Sequence, residues 1–362
     1  MYSLAEKICI LFGNSGVSNS KFFQLWDCFD SAEQLAQDLA SSSIAEKILG
    51  EHYRGLKTAL KRKAYDDIIA EMDKHNVFAV TCFSDTFPER LRNIDDMPYV
   101  LFCRGNVKLM DTSALGVVGT RKVSSYGRRV TKDFVEILSE YFTIVSGLAY
   151  GVDAIAHETT LAEGGKTIAV LGGGLINVYP QANQGLADRI LQNGGLLISE
   201  YGMNAAPLTY RFPHRNRLVS GLSKGLLVCQ AAAKSGTNST VECALQQGRD
   251  VFVVPGEIYD YGYAGSNTLI KSMQGACVTT PRDIVDYYGL DRVHAKKAVY
   301  QMSIEEQQVV NALSNGQLTF DQLVNVTGMP PANLNFLLAN LELRSIIAKL
   351  PGNCYRLYGG LE

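Results

Sequence analysis

The chain has 362 residues, of which 46% are hydrophobic and 19% are charged, and its formal net charge is -2. This length predicts two or three domains with enough apolar residues to bury a sizeable core. The near-neutral balance excludes a uniformly basic surface, so any nucleic acid or other polyanion must be bound by a local patch of positive charge.

The first predicted element is a small helical domain over residues 1–65. Within it, LWDCFDSAEQLAQDL (25–39) carries apolar residues at helical spacing. The segment GVSNS (16–20) is compatible with a helix-hairpin-helix turn, and also with a plain connection between two helices. We therefore describe the predicted N-terminal domain as SAM-like or helix-hairpin-helix-like.

Short apolar runs then alternate with amphipathic stretches, which together predict a core domain over residues 66–290. Most of the runs are followed by glycine and a helical segment of roughly ten to fifteen residues. Buried strands separated by helices indicate a Rossmann-like, doubly wound, mostly parallel α/β sheet, whose ligand lies beyond the carboxyl ends of the strands. The predicted strands lie in segments 114–119, 142–147, 166–174, 195–201, 225–231 and 250–256.

The last part of the chain predicts a winged-helix domain over residues 301–362, after a polar linker at 291–300. Three helical patterns precede two strand patterns that flank a Pro-Gly-Asn turn. From residue 301 onwards three basic residues stand against five acidic ones, and the third helical pattern offers a single arginine. We therefore expect this domain to contact protein or to tune the core domain, and not to read a DNA major groove.

The eight cysteines form no C-x-x-C pair and the five histidines are scattered, which favours reduced thiols and no metal site. The first residues, MYSLAEKICILF, lack the basic region and cleavage site of a signal peptide, and no apolar run approaches about 18 residues. We expect a cytoplasmic protein with no membrane contact and no cofactor.

Three strand-end loops carry the candidate binding residues, because the carboxyl ends of parallel strands meet at one edge of a sheet. The loop 119–129, GTRKVSSYGRR, is locally basic, and 146–157, SGLAYGVDAIAH, is made of small residues that allow a ligand close approach. The loop 234–242, KSGTNSTVE, has the glycine and hydroxyl composition of an anion cradle ahead of a helix.

A fourth segment, YRFPHRNRLVSGLS (210–223), places cations where a helix disfavours them. Pro213 favours a helix start, yet His214, Arg215 and Arg217 crowd the same turn. Cations at the positive end of a helix cost a few tenths to about 1 kcal/mol each. Either an anionic ligand such as phosphate offsets that cost, or the cations pair with carboxylates or with a neighbouring helix C-terminus.

Several catalytic signatures fail. GGKT (164–167) resembles the end of a nucleotide-binding P-loop, but residue 160 is threonine and the segment leads into a strand. LGGGLINVYP (171–180) lacks the glycine order of a dinucleotide-binding turn, and no G-x-S-x-G elbow exists. No sequence-close acidic pair indicates a metal-dependent nuclease, so we expect no catalysis.

Taken in order, these motifs resemble the DNA-processing protein A family, also called DprA or Smf. The matching segments are GTRKVSSYG, SGLAYGVDAIAH, GGKTIAVLGGGLINVYPQAN, LLISEY, FPHRNRLVSGLS, KSGTNST and GRDVFVVPG. The resemblance implies a bacterial protein that binds single-stranded DNA, protects incoming DNA and loads the RecA recombinase during natural transformation and homologous recombination. It also implies a homodimer formed through the Rossmann-like core.

The resemblance also implies site residues. Arg121 stands in a G-[ST]-R motif as a phosphate ligand, and Arg215 and Arg217 stand in an F-P-x-R-N-R motif that lines the same pocket. Phe212 or Tyr126 either stacks on a base or packs in the core. The implied DNA-binding set comprises Gly119, Thr120, Arg121, Lys122, Ser146, Gly147, Arg211, Phe212, Arg215, Asn216, Arg217, Lys234, Ser235, Gly236 and Thr237.

Asn238 and Ser239 depart from this family, which usually has an apolar pair after its S-G-[ST] turn. The alternative hypothesis is an enzyme, a nucleoside-monophosphate phosphoribohydrolase of the lysine-decarboxylase-like Rossmann family. SGTNSTVE shares Gly236, Thr237 and Glu242 with that family's P-G-G-x-G-T-x-x-E loop but lacks its leading P-G-G. A purely structural adaptor is a third reading, and it leaves the arginine-rich loops unexplained.

Overall fold

A computed structural model of the chain describes residues 2–290, 303–314, 316–343, 346–350 and 352–357. The chain forms two compact units, Met1–Val293 and His294–Glu362. The predicted linker at 291–300 lies outside the described residues. None of the described helices combines the length and the apolar character that crossing a bilayer requires.

The first unit is built on a nine-stranded sheet. Its strands are β1 (Phe78–Thr81), β2 (Val100–Gly105), β3 (Ala114–Gly119), β4 (Thr143–Ser146), β5 (Thr167–Leu171), β6 (Leu196–Ser199), β7 (Gly225–Gln230), β8 (Asp250–Val253) and β9 (Ala276–Cys277). They lie in the order β1-β2-β6-β5-β4-β3-β7-β8-β9. All pairs from β6 to β9 are parallel, while β2 is antiparallel to both β1 and β6.

The six predicted strands correspond to β3 to β8, so the predicted doubly wound, mostly parallel sheet is confirmed. The sequence prediction missed β1, β2 and β9. The strand β9 has only two residues, both exposed, so it carries no apolar run to detect. The strands β1 and β2 pair antiparallel at the opposite edge, outside the repeating strand-helix pattern.

Fourteen helices accompany this sheet among the described residues of the first unit. They are α1 (Leu4–Asn14), α2 (Asn19–Trp26), α3 (Ala32–Asp38), α4 (Ser43–Leu49), α5 (His52–Lys61), α6 (Ala64–Lys74), α7 (Glu89–Arg92), α8 (Ser125–Leu138), α9 (Val152–Ala162), α10 (Gln184–Gln192), α11 (Arg211–Leu222), α12 (Thr237–Gln246), α13 (Ala264–Lys271) and α14 (Pro281–Tyr287).

Helices cover both faces of the sheet. Alternate residues of each strand point to opposite faces and so join different cores. In β3, Leu115 and Val117 join a core with α8, α9 and α14, whereas Ala114 and Val118 join a core with α7, α11 and α12. A third core joins the N-terminal helices to β2, β5, β6 and α10. The N-terminal helices therefore share an apolar core with the sheet.

The predicted helical N-terminal region is confirmed as six helices, α1 to α6. The stretch 25–39 contains the end of α2 and all of α3, because α2 ends at Trp26 and Ser31 caps α3 by accepting from the Gln34 backbone N-H at 3.1 Å. The predicted boundary after residue 65 lies inside α6, and the residues on both sides of it belong to the first compact unit.

The second unit has the predicted winged-helix order. Its elements are α15 (Ile304–Leu313), β10 (Leu318–Thr319), α16 (Phe320–Thr327), α17 (Pro331–Leu343), β11 (Ile347–Leu350) and β12 (Cys354–Leu357). The strands form an antiparallel sheet in the order β10-β12-β11, and one face of each helix packs into a common apolar core. The short strand β10 was not predicted.

Candidate nucleic-acid interface

A cleft lies at the point where the order of the parallel strands reverses. Strands β4, β5 and β6 lie on one side of β3, whereas β7, β8 and β9 lie on the other. In doubly wound sheets, the crevice beyond the carboxyl ends at this point is where ligands bind. Here the cleft has a volume of about 520 Å³ and is lined by Gly119 at the end of β3, Gly147 after β4 and Ala232 after β7.

Backbone hydrogen bonds fix the basic loop that follows β3. The Thr120 N-H donates to the Gln230 carbonyl at 2.8 Å, and the Thr120 carbonyl accepts from the Val152 N-H at 3.2 Å. Gly151 has a φ of +78°, and a β-carbon there would collide with the carbonyls of Thr120 and Arg121. This close packing holds the loop in place while the side chains of Arg121 and Lys122 remain exposed at the cleft.

The opposite wall is the loop that starts α12. Thr237 and Thr240 are buried in the first turn of this helix and line the cleft, which places the positive end of the helix dipole there. The polar residues that depart from the family pattern hold this loop. Asn238 donates to the Ala233 carbonyl at 3.1 Å, and Ser239 accepts from the side chain of Asn216 in α11 at 2.9 Å.

The inner end of the cleft contains a buried guanidinium and a buried carboxylate. Arg215 is 4% exposed and donates through Nη1 to the carbonyls of Gly147 and Val170. Burial lowers the pKa of Arg215 to about 10, which leaves it charged at neutral pH. Burial also raises the pKa of Asp153, which accepts from the N-H groups of Gly147 and Ala149. These two residues fix the loop after β4.

The cleft is positively charged although the whole chain is not. Its charged lining residues are four cations, Arg121, Lys122, Arg215 and Lys234, and one carboxylate, Asp153. Arg121, Lys122 and Lys234 are exposed, and no carboxylate in the described part of the chain forms an ion pair with them. Free cations beside a helix N-terminus are suited to binding phosphate groups.

Most of the predicted binding residues line this cleft. They are Gly119, Thr120, Arg121, Lys122, Gly147, Phe212, Arg215, Asn216, Lys234, Ser235, Gly236 and Thr237. Three do not. Ser146 is buried and donates to the Val117 carbonyl at 2.6 Å, and Arg211 donates to the Ala206 carbonyl and lies over the Tyr201 ring. Arg217 is the third.

Arg217 is held by two carboxylates away from the cleft. Its Nη2 lies 2.6 Å from Glu200 Oε1 and its Nε lies 3.1 Å from Asp96 Oδ2. His214 Nε2 lies 2.7 Å from the same Asp96 oxygen, and Asn19 donates to both carboxylates. Two carboxylates therefore offset the unfavourable charge of Arg217 at the start of α11, as the second sequence hypothesis required, and Asp96 also forms a hydrogen bond with His214.

Other lining residues were missed by the sequence analysis. Tyr179 follows β5, is 49% exposed, and has its ring centroid 5.6 Å from that of Phe212. Arg121 lies over the other ring of this pair, 5.8 Å from the Phe212 centroid. The sequence feature that could have predicted Tyr179 as a lining residue is its position shortly after a predicted parallel strand. The segment 171–180 fails as a dinucleotide-binding turn and matches a family motif, and neither observation singles out Tyr179.

The winged-helix unit offers no comparable basic surface among its described residues. The helix α17, which takes the place of a recognition helix, has Glu342 as its only charged residue within Pro331–Leu343. Its side chain at Phe336 is 69% exposed. Lys349 and Arg356 lie on β11 and β12 instead.

Fold and site together define a Rossmann-like protein with a basic cleft at its strand switch point and a winged helix after it. The sequence model of the family described as DNA recombination-mediator protein A matches residues 78–289, and that of the DprA winged helix domain matches residues 295–353. The chain belongs to the DNA recombination-mediator protein A family, which confirms the resemblance found in its motifs.

Individual relatives agree with this assignment. Protein Smf of Escherichia coli (strain K12) is 38% identical over 307 residues, which cover 82% of each protein. The X-ray structure of DprA from Streptococcus pneumoniae superposes with a TM-score of 0.65 at 33% identity, over 79% of this chain and 98% of that one. DprA from Helicobacter pylori, whose structure concerns its single-stranded DNA binding mode, gives 0.54 at 30% identity, over 59% and 95%.

Proposed function

We propose that the cleft binds the sugar-phosphate backbone of single-stranded DNA and that the protein carries out no catalysis of its own. The observation that supports this most is the group of exposed cations, Arg121, Lys122 and Lys234, which line the cleft with the start of α12 and form no ion pair among the residues that the structure describes. Phosphate contacts of this kind position a strand without reading its sequence. The single-stranded DNA binding of the Helicobacter pylori relative supports the same choice of ligand.

The proposed phosphate ligands are the lining residues from the predicted set, led by Arg121 and Lys234. Arg215 supplies fixed charge at the inner end of the cleft while it holds the carbonyls of Gly147 and Val170. Phe212, beside Tyr179, is a candidate platform for a base. Ser146, Arg211 and Arg217 are left out of the proposal because their side chains are engaged elsewhere.

At the level of the cell, we propose that the protein protects incoming single strands in the cytoplasm and loads RecA on them during natural transformation and homologous recombination. We also propose that it acts as a homodimer formed through the Rossmann-like core. Membership of a recombination-mediator family supports the recombination role. The eight cysteines, which are all free thiols, suit a reducing compartment.

Fluorescence anisotropy tests the binding proposal. A labelled single strand and its duplex are titrated over a salt series with the unaltered protein, with Arg121→Ala, and with Arg62→Ala, which removes an exposed arginine from the N-terminal region. We expect a preference for the single strand, an affinity that falls with salt, and a salt slope reduced by about one for Arg121→Ala only. Salt-insensitive or duplex-preferring binding would contradict the proposal.

The phosphoribohydrolase alternative gains no support from the site. Glu242, which matches the glutamate of that family's loop, lines a separate groove with Val241 and Leu245. The one carboxylate of the cleft, Asp153, already accepts two backbone hydrogen bonds. Release of a free base from a nucleoside monophosphate by the purified protein would revive this alternative.

A further inference from the structure

The most exposed aromatic side chains of the first unit lie together in the loop that follows β8. Tyr259 is 89% exposed, Ile258 is 77% exposed and Tyr261 is 68% exposed. Since β8 is parallel to β7, this loop leaves the same edge of the sheet as the cleft. A cluster of large side chains left in water at such an edge marks a binding surface. We call residues 255–263 the tyrosine shelf.

Hydrogen bonds anchor the tyrosine shelf at both ends. At its start, Asn267 donates to the Gly256 carbonyl and accepts from the Gly256 N-H, both at 3.1 Å. Near its end, the Gly262 N-H donates to Asp260 at 2.8 Å. The Tyr126 hydroxyl donates to the Pro255 carbonyl at 3.2 Å, which attaches the shelf to the first turn of α8.

The tyrosine shelf is continuous with the cleft through Gln230, the last residue of β7. The Gln230 carbonyl accepts from the Thr120 N-H in the cleft wall, and its side-chain Oε1 accepts from the Ser124 N-H at 3.0 Å. The side-chain Nε2 of Gln230 faces Gly262 closely: a β-carbon added at that glycine would lie 2.7 Å from it. One residue, through its carbonyl and its side chain, therefore contacts the basic loop, the start of α8 and the shelf.

The charge around the shelf favours an anion. Lys122, Arg128 and Arg129 are exposed on the segment that joins the cleft to the shelf. These three cations form no ion pair within the described part of the chain. The shelf itself carries two carboxylates, Glu257 and Asp260, and Asp260 accepts a hydrogen bond from the Gly262 N-H. Cations beside projecting tyrosine rings form the combination that binds single-stranded nucleic acid, in which cations follow the backbone and rings stack on bases.

We propose that the tyrosine shelf is a second segment of the DNA path, where Tyr259 and Tyr261 stack on bases of the strand that leaves the cleft on the β8 side. This inference rests on the proposed function of the cleft. It extends that function from phosphate binding to a longer footprint with a non-ionic contribution. Because every base has a stacking face, the shelf adds affinity without sequence preference.

A length series of oligothymidylates tests the proposal, from about 4 to about 20 nucleotides. The double variant Tyr259→Ala/Tyr261→Ala should bind the long strands at least about fivefold more weakly, with an unchanged salt slope, and the shortest strands as well as before. The matched variant Tyr259→Phe/Tyr261→Phe keeps both rings and should bind all lengths like the unaltered protein.

Equal affinity of the alanine variant at every length would overturn the inference while leaving the cleft proposal intact. An equal loss at every length would also overturn it, since a separate segment must spare the shortest strands. Light scattering on the same variants detects the competing occupant, a second copy of the chain, as a change in oligomeric state without length dependence. No binding of any single strand by the unaltered protein would overturn both proposals.

Discussion

Replacement of Arg217 separates a structural role from a DNA-binding role at one position. The side chains of Arg217 and Glu200 are 8% and 9% exposed, and their charged atoms lie 2.6 Å apart. Removal of one partner of a buried ion pair leaves an uncompensated charge, which typically costs 3 to about 5 kcal/mol. We expect the lower end for Arg217→Met, because Asn19 still donates to Glu200 Oε1 at 2.8 Å.

A loss of about 3 kcal/mol corresponds to a decrease in Tm of roughly 5 °C for a unit that spans Met1–Val293. Trp26 is the only tryptophan of the chain, and its ring stacks on Phe22 and contacts the tilted ring of Phe83, so its fluorescence reports unfolding of the first unit. Urea unfolding and DNA anisotropy are measured on Arg217→Met and on the exposed control Arg62→Ala.

The structural account predicts a large decrease in stability for Arg217→Met and an unchanged affinity for single-stranded DNA below the unfolding transition. The control should change stability by no more than about 0.5 kcal/mol. Unchanged stability together with a clear loss of DNA affinity would refute the reasoning, and would restore Arg217 to the phosphate ligands predicted from its motif.

The loop glycines give a second test: Gly151→Ala should weaken single-strand binding because its β-carbon displaces the Thr120 and Arg121 carbonyls, whereas Gly164→Ala has a similar φ of +71° but open space, and should cost only stability. Burial raises the pKa of Asp96, but the hydrogen bond from His214 and the charge of Arg217 outweigh this and hold it below its ordinary value. Its contribution to stability is therefore complete above the unfolded pKa and lost as pH falls through the folded value. The difference in urea midpoint between the unaltered protein and Asp96→Asn should therefore stay constant above about pH 5 and shrink as pH falls below about 4, and a difference that persists unchanged to about pH 2 would contradict this. Lys234→Ala should lower the salt slope of single-strand binding as Arg121→Ala does, and an unchanged slope would place Lys234 outside the DNA path.

The strand-end loops could be predicted from sequence because one local pattern determines where they go. Apolar runs followed by glycine and a helix place Gly119, Gly147 and Gly236 at the edge of the sheet where the parallel strands end, and this does not depend on the order of the strands. The order of the strands, which brings β3 beside β7, is not contained in that pattern. It is nevertheless what makes the cleft a switch point.

Long-range partners could not be predicted in the same way. Arg215 and Arg217 stand two residues apart in one motif. Arg217 is nevertheless paired with Asp96, 121 residues earlier, whereas Arg215 lines the cleft. A helix directs residues two apart to different sides, so a shared motif does not imply a shared pocket. The tyrosine shelf could not be predicted from the sequence either, because the exposure of Tyr259 and Tyr261 depends on which distant residues pack against the loop.

Photocrosslinking tests the central claim most directly, that the cleft at the strand switch point holds single-stranded DNA. A single strand containing a photoreactive thymidine analogue is irradiated with the full chain, and the crosslinked peptides are identified by mass spectrometry. The account predicts crosslinks in the lining segments around Arg121, Phe212 and Lys234, which Arg121→Ala should reduce. Crosslinks confined to the winged-helix unit, with none at the cleft, would contradict it.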